Sequence, residues 1–253
     1  MRSAAEAAPS FLYLPELAGS APEFSVAGDE ARYLARVVRA RVGERVSASD
    51  GAGLTASLIV ERVHPDVVLR VVERRFSPAR PGARLLCGAP EGDRGDWLVE
   101  KLAELGVGEL TPVQTQRARW PGPLRSERWQ RLATAALRQS RSAWRLRLGA
   151  PVELATALAE AGAGARWLAD AGGAPASQQG LPADGSVTGA VGPSSGFSDE
   201  ERNLLRKHDF VPVCLAVARL RTETAALALA ALWSARRAGG PEAAGAQSAD
   251  GTP

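Results

Sequence analysis

Two strand-to-helix turns that lie close together, within residues 187–232, constrain the fold of this chain more than any other feature. The stretch contains an apolar strand, a Gly/Pro/Ser turn, a helix, a second apolar strand, another turn and a final helix. In α/β folds such turns lie at the carboxyl ends of strands, where ligands bind. From residue 84 onward, strand-like segments alternate with segments of helical periodicity, a pattern typical of a mostly parallel sheet flanked by helices. We therefore predict an α/β domain over residues 84–237, with its ligand site in the 187–232 stretch.

The N-terminal part has a different pattern. Residues 11–73 contain short β-branched runs, one helical segment over residues 29–40, and a hairpin turn at Asp50-Gly51, as expected for a small β-barrel. Such barrels commonly bind nucleic acid on one face. Residues 74–83, rich in Pro, Gly and Arg, are interpreted as a linker. Residues 238–253 have no apolar periodicity and are expected to be disordered.

The single helical segment of the N-terminal part carries both apolar and basic residues. Its periodicity places Tyr33, Leu34, Val37 and Val38 on the apolar face and leaves the arginines to project elsewhere. In the whole chain, 29 of the 31 basic residues are arginine. Because the guanidinium group suits bidentate phosphate contacts and stacking on bases, this bias is compatible with an RNA partner. The alternative is a genome that simply encodes Arg in place of Lys.

The sequence gives little indication of a membrane protein, a secreted protein or a metalloprotein. The longest fully apolar run, residues 225–233, is too short to cross a bilayer. The first ten residues lack the apolar core of a secretory signal, and two cysteines cannot make a disulfide framework, so we expect a cytoplasmic protein. No metal site is predicted, because neither His64 nor His208 has a second His or Cys at ligand spacing. The sequence has no P-loop or GxGxxG motif either.

The first turn of the 187–232 stretch combines Gly192, Pro193 and Gly196 with a predicted capping box of Ser198 and Glu201. Exposed amides beside a helix N-terminus suit a polar or anionic ligand. The alternative interpretation is an ordinary turn followed by a well-capped helix, without a ligand.

The second turn places Arg221 directly before Thr222, which is a predicted cap of the last helix, and before Glu223 in its first turn. An arginine and a carboxylate at this position could orient a base or a phosphate. A local ion pair with helix capping is the competing interpretation.

Five segments of the chain, in this order, resemble one family. They are RYLARVVRARVGERVSASDGAG, GDRGDWLVEKLAELGVGELTPVQTQRA, AALRQSR, AVGPSSGFSDEE and LRTETAAL. Their order is similar to that in the RsmE family of 16S rRNA uridine N3-methyltransferases, which belong to the SPOUT class. The resemblance covers roughly residues 11–237.

The resemblance implies a homodimer with an N-terminal PUA-like β-barrel and a C-terminal SPOUT α/β domain tied into a trefoil knot. It implies S-adenosylmethionine in the knot, held by the loop after ARWLAD and by residues 192–196 and 215–220. The implied cofactor-binding residues are Leu168, Gly192, Pro193, Ser194, Ser195, Gly196, Leu215, Ala216, Leu220, Thr222 and Thr224.

The resemblance also implies an acceptor, a uridine of 16S rRNA in the decoding region of the small ribosomal subunit. Arg221 and Glu223 match the family's LRTETA signature and are the implied catalytic residues, Arg221 by stabilising developing charge and Glu223 as a candidate base. The residues expected to contact RNA are Arg36, Arg39, Arg41, Arg117 and Arg141.

Two departures from the family pattern lie in the implied cofactor site. The usual GPEGG has Ser194 and Ser195 here, and the usual LGPR reads Leu215-Ala216-Val217-Ala218. Replacing glycine removes easy access to positive φ, so a shift of either loop is expected. The alternative function is therefore an RNA-binding paralogue that keeps the fold but has weakened or no catalysis.

Overall fold

A computed structural model describes residues 10–77, 82–120, 126–182 and 184–238. The chain divides into two compact units. The first contains residues 1–80 and 134–145, and the second contains residues 81–133 and 146–253. Each is described by itself below. None of the helices in the described ranges is long and apolar enough to cross a membrane.

The first unit is built on a five-stranded sheet in the order β1-β3-β4-β5-β2. The strands are β1 (Phe11–Tyr13), β2 (Glu23–Val26), β3 (Arg45–Ser49), β4 (Leu54–Arg62) and β5 (Val67–Phe76). β1 pairs parallel with β3, and the other pairs are antiparallel. The predicted hairpin turn is confirmed between β3 and β4, where Asp50 Oδ1 accepts from the N–H groups of Ala52 at 2.7 Å and Leu54 at 3.0 Å.

The structure differs from the sequence prediction over the predicted linker. β5 continues to Phe76 and pairs with β4, so the first three residues of the predicted linker 74–83 are strand. Residues 78–81 of that linker, and residues 239–253 of the predicted tail, lie outside the described residues.

The predicted helix over residues 29–40 is present but is not uniform. Helix α1 (Gly28–Arg32) widens into a π-helical turn over Tyr33–Val38, which ends at Arg39 with a left-handed φ of 55°. A π-helical turn rotates successive side chains by less than an α-helical one. Leu34 is fully buried as predicted, but Val37 is 68% exposed, so its placement on the apolar face was wrong.

Residues 134–145 attach to this unit through arginine contacts. The guanidinium of Arg138 lies 4.9 Å from the ring centroid of Tyr33 and donates to Glu30 at 2.9 Å. Arg145 lies over the ring of Tyr13 at 5.1 Å. Such cation–π contacts join a charged segment to the sheet without leaving the charge unpartnered.

The second unit is a parallel sheet in the order β12-β10-β11-β6-β7-β8, with β9 paired to β7, which confirms the predicted α/β class. Its strands are β6 (Ala83–Cys87), β7 (Glu109–Gln114), β8 (Arg147–Leu148), β9 (Val152–Glu153), β10 (Ala165–Pro175), β11 (Val187–Val191) and β12 (Val211–Cys214). The helices are α2 (Arg94–Glu104), α3 (Ser126–Ser140), which begins in this unit, α4 (Leu154–Ala159), α5 (Asp199–Lys207) and α6 (Thr222–Ala238).

The strand order reverses at the centre of this sheet. After β8 and β9, which both pair with β7, the chain crosses to β10, returns to place β11 between β10 and β6, and then adds β12 outside β10. β11 is buried along its whole length, as expected for an internal parallel strand. Helix α6 packs so closely on it that a Cβ at Gly189 would lie 2.8 Å from Leu229. The loops after β10, β11 and β12 therefore emerge together, where such sheets bind ligands.

Strand β10 extends well beyond the ARWLAD segment. It continues to Pro175 after a bulge, since Ala169 and Ala174 both pair with Val213. Gly173 allows this close approach, because a Cβ there would lie 2.4 Å from the main chain of Pro212. Asp170 and Ala171, the first two residues of this bulge, line the candidate site.

Candidate functional site

A cavity of about 470 Å³ lies at the carboxyl ends of β10, β11 and β12. Three segments form most of it: residues 168–171, residues 191–197 and residues 215–220 with Thr222. Arg202 and Ala225 complete the lining. Ten of the predicted cofactor-binding residues line it, namely Leu168, Gly192, Pro193, Ser194, Ser195, Gly196, Leu215, Ala216, Leu220 and Thr222. Thr224 is exposed on α6 and is not part of the lining. The volume is in the range of small-molecule sites.

The 192–196 loop forms a tight turn against the sheet. Gly196 N–H donates to the Pro193 carbonyl at 2.8 Å, and Gly196 has a φ of +71°. A Cβ at Gly88, which follows β6, would lie 2.5 Å from Pro193 N. The loop is thus closely packed on β6, and the position that needs left-handed backbone is still glycine.

The substitutions in this loop and in residues 215–218 do not strain the backbone. Among the described non-glycine residues, positive φ occurs at Arg39, Arg141 and Asp209 and at none of the serines or alanines that replace the family's usual residues. A shift of these loops was expected because the substitutions remove glycine from positions of positive φ. None of the substituted positions has a positive φ, so the substitutions give no reason for a shift.

The capping box predicted at the start of α5 is confirmed. Ser198 Oγ accepts from Glu201 N–H at 3.2 Å, and Glu201 Oε2 accepts from Ser198 N–H at 2.8 Å. Glu201 Oε1 also accepts from Gln116 N–H at 2.8 Å, just after β7. This buried carboxylate therefore ties the loop after β11 to the loop after β7.

An ion pair between Asp170 and Arg202 lies at the cavity wall and was missed by the sequence analysis. Asp170 is in the bulge of β10 and Arg202 is in the first turns of α5. Asp170 Oδ1 also accepts from Gly172 N–H at 3.0 Å. The only available signal was an aspartate at the end of an apolar strand, which is common in loops.

Thr222 lines the cavity but is not the predicted cap of the last helix. Its hydroxyl donates to the Gly192 carbonyl at 3.0 Å. The Arg221 carbonyl accepts the first helical hydrogen bond, from Ala225 N–H at 2.8 Å, so Arg221 rather than Thr222 is the N-cap residue. Thr222 is buried and connects two of the cavity segments.

Glu223 is buried and forms an ion pair with Arg94, the first residue of α2. The sequence analysis considered Arg221 as its partner, and the structure instead gives it one from a different helix. A second cavity of about 250 Å³ adjoins the first and is lined by Glu91, Ser194, Arg219, Leu220, Arg221, Thr222 and Glu223. The predicted catalytic pair thus lies beside the main cavity, together with Glu91 and Arg219, which the sequence did not single out.

The thiol of Cys87 lies at the end of β6 and is fully buried. Burial, and secondarily the charge of Glu223, raises the pKa of this thiol to about 12. The neutral thiol is a poor nucleophile at physiological pH. Within the described ranges no group of three or more His, Cys, Asp or Glu side chains could hold a metal ion.

The arginines predicted to contact RNA are all exposed and are divided between the units. Arg36, Arg39, Arg41 and Arg141 belong to the first unit, and Arg117 belongs to the second. Arg117 donates to the Ser195 carbonyl at 3.1 Å, so it also contacts the loop of the main cavity.

Comparisons with known proteins agree with this architecture. Residues 79–234 match the family model described as an RNA methyltransferase domain, and residues 26–69 match the RNA methyltransferase PUA domain. The chain is 31% identical over 223 residues to ribosomal RNA small subunit methyltransferase E of Mycobacterium bovis, covering 79% of this chain and 82% of that protein.

Two solved structures are similar in fold. One is a ribosomal RNA small subunit methyltransferase E from Neisseria gonorrhoeae bound to S-adenosyl methionine, with a TM-score of 0.79, 22% identity, and coverage of 90% of this chain and 98% of that one. The other is a probable rRNA-methyltransferase from Porphyromonas gingivalis, with a TM-score of 0.75, 26% identity, and coverage of 87% and 95%.

Proposed function

Because this chain belongs to the RsmE family of SPOUT RNA methyltransferases, we propose that it transfers a methyl group from S-adenosylmethionine to N3 of a uridine in 16S rRNA. The acceptor uridine lies, by this proposal, in the decoding region of the small ribosomal subunit. The observation that supports it best is the cavity of about 470 Å³ whose three lining segments contain ten of the eleven residues expected at the cofactor.

The chemistry of the cavity suits S-adenosylmethionine. The lining includes residues with small side chains, which allow a flat purine to approach closely: Gly192, Ser194, Ser195, Gly196, Ala216 and Ala218. The Asp170–Arg202 pair supplies one negative and one positive group at the wall, which suits a ligand with a zwitterionic amino-acid end. When bound, S-adenosylmethionine supplies a methyl group on a positively charged sulfur.

In the transfer, the acceptor nitrogen would release its proton to solvent, and the N–CH₃ bond would form as the S–CH₃ bond breaks, which would leave S-adenosylhomocysteine. Arg221 lines the second cavity beside the cofactor cavity, and its guanidinium would stabilise the negative charge that develops on the uracil carbonyl oxygens. Orienting the base next to the methyl donor supplies a further part of the acceleration.

Glu223 acts chiefly as a positioning group in this proposal. Its carboxylate is buried and forms an ion pair with Arg94. By pairing with Arg94 at the start of α2, it fixes the first turn of α6, which directly follows Arg221.

RNA binding is assigned to the exposed arginines of the first unit, Arg36, Arg39 and Arg41, with Arg141 from residues 134–145. A homodimer is also proposed, from the family resemblance. A cytoplasmic location is proposed because both cysteines are free thiols. Light scattering of the purified chain tests the dimer.

The experiment that tests the function combines calorimetry and methyl transfer. The chain is titrated with S-adenosylmethionine and then incubated with small subunits from cells that lack the modification, with the methylated nucleoside identified by mass spectrometry. We expect binding in the micromolar range and N3-methyluridine as the product. Arg221→Ala should lower the rate of transfer by about 100-fold, as losing one charge-stabilising donor does elsewhere, whereas Arg206→Ala on the exposed face of α5 should not. Absence of cofactor binding would sink the proposal.

A further inference from the structure

Four successive carbonyls of the loop after β11, at residues 192–195, each accept a hydrogen bond. The donors, in order, are Thr222 Oγ1 at 3.0 Å, Gly196 N at 2.8 Å, Arg219 Nη2 at 2.9 Å and Arg117 Nη1 at 3.1 Å. The first donor is the hydroxyl of buried Thr222, and the second is the N–H of Gly196 within the tight turn. The last two come from arginine side chains on two other loops.

The side chains of Ser194 and Ser195 are exposed, so packing contributes little to the position of this segment. It is held mainly through its main chain. Hydrogen bonds from a charged guanidinium are stronger than neutral ones, so two of them on adjacent carbonyls restrain both peptide groups.

The two arginines approach from different parts of the sheet. Arg219 follows β12 and lines both cavities, whereas Arg117 follows β7. The segment that covers one side of the main cavity is thereby connected to the loops on either side of it.

We propose that Arg219 and Arg117 are positioning residues that hold the Ser194–Ser195 segment against the cofactor cavity and thereby set the affinity for S-adenosylmethionine. The proposal rests on the proposed function of this cavity. The sequence predicted that Arg117 contacts RNA. The proposal gives it a different role, within the cofactor site. The two residues restrain one segment, so their effects are coupled.

The test is a double-mutant cycle on the full chain, measured by calorimetry with S-adenosylmethionine in the absence of RNA. Arg219→Ala and Arg117→Ala should each weaken binding roughly 3- to 10-fold, the range for losing an exposed charge-assisted hydrogen bond. The double variant should lose less than the product of the single effects, because the first deletion already frees the segment. Arg219→Lys should recover part of the affinity, and Arg206→Ala, an exposed arginine outside both cavities, is the matched control.

Steady-state kinetics separate positioning from chemistry. In both single variants we expect a higher KM for S-adenosylmethionine with kcat within about 2-fold of the unmodified chain, the pattern for losing binding shared by ground and transition states. Unchanged affinity in both variants, or strictly multiplicative losses, would overturn the proposal. A raised KM for RNA alone in Arg117→Ala would also overturn it and would support the RNA contact. If the unmodified chain binds no cofactor, the proposed function fails first, which is a distinguishable result.

Discussion

The buried carboxylate of Glu223 in α6 is paired with the guanidinium of Arg94 in α2, which lies 129 residues earlier in the chain. Glu223 has a side-chain exposure of 5%, whereas that of Arg94 is 41%. The pair links the two helices that follow β6 and β12.

If Glu223 is a positioning group, Glu223→Gln should retain methyl transfer within about 10-fold, whereas loss of a general base costs about 100-fold or more. Rates with saturating cofactor and RNA decide between the two. A loss above 100-fold in a variant with unchanged cofactor affinity would restore the base role.

Arg94→Ala should be more destabilising than Glu223→Gln, because it leaves a buried carboxylate without its partner. We expect a loss of about 2 kcal/mol in the free energy of unfolding, reduced from the value for a fully buried pair by the exposure of Arg94. Combining it with Glu223→Gln should recover most of that loss. Urea unfolding of the three variants measures this, and an additive double variant would contradict the pairing.

The hydroxyl of Thr222 gives a sharper test of loop geometry. Thr222→Val keeps the shape but removes the donor to the Gly192 carbonyl, and we expect about 10-fold weaker S-adenosylmethionine binding. Thr222→Ser retains the donor and should bind within about 3-fold of the unmodified chain by the same reasoning. Equal binding of the valine and serine variants would show that the hydrogen bond is unimportant.

The altered loop should tolerate its own substitutions. Because Ser194 and Ser195 have ordinary φ and Gly196 carries the φ of +71°, Ser194→Glu/Ser195→Gly should change cofactor affinity less than Gly196→Ala. For Gly196→Ala we expect a cost of about 1 kcal/mol, or roughly 5-fold in affinity. Calorimetry on the two variants checks the order, and a large gain in the double variant would mean that the serines do impair the site.

Stability should depend on pH through Glu30. Burial raises the pKa of this carboxyl above its ordinary value of 4.5, and Arg138 opposes the shift only in part. A raised folded-state pKa means that the folded chain binds the proton more tightly, so this contribution is fully present below pH 4.5 and is lost as pH rises through the raised value. Relative to Glu30→Gln, the unmodified chain should therefore lose stability over that interval. Urea unfolding at pH 4 and pH 7 measures it, and a parallel pH dependence in both proteins would contradict the assignment.

The arginines of the first unit make a salt-dependent prediction. Reversing the side-chain charges of Arg36, Arg39 and Arg41 together should reduce the slope of log RNA affinity against log salt concentration by about 3, if each arginine contacts one phosphate. Arg70→Ala, which removes an arginine already paired with Glu61, is the control and should leave the slope nearly unchanged. An unaltered slope in the triple variant would move the RNA surface elsewhere.

The sequence by itself determined the elements and their class. The alternation of apolar strand and helix patterns predicted the parallel sheet. Turn residues predicted the Asp50-Gly51 hairpin, and the Ser198–Glu201 spacing predicted the capping box, because each depends on residues near one another in the chain. The family segments in order also pointed to the three loops that line the cavity.

Only the tertiary structure decided the partners. Arg94 and Glu223, Arg219 and Ser194, and Gln116 and Glu201 meet because the strand order reverses at β10 and β11 and brings distant loops to one edge of the sheet. Val37 points to solvent because a π-helical turn changes the angle between residues, and periodicity assumes a constant one. Local patterns specify local geometry, whereas a hydrogen bond between loops depends on the packing of the whole sheet.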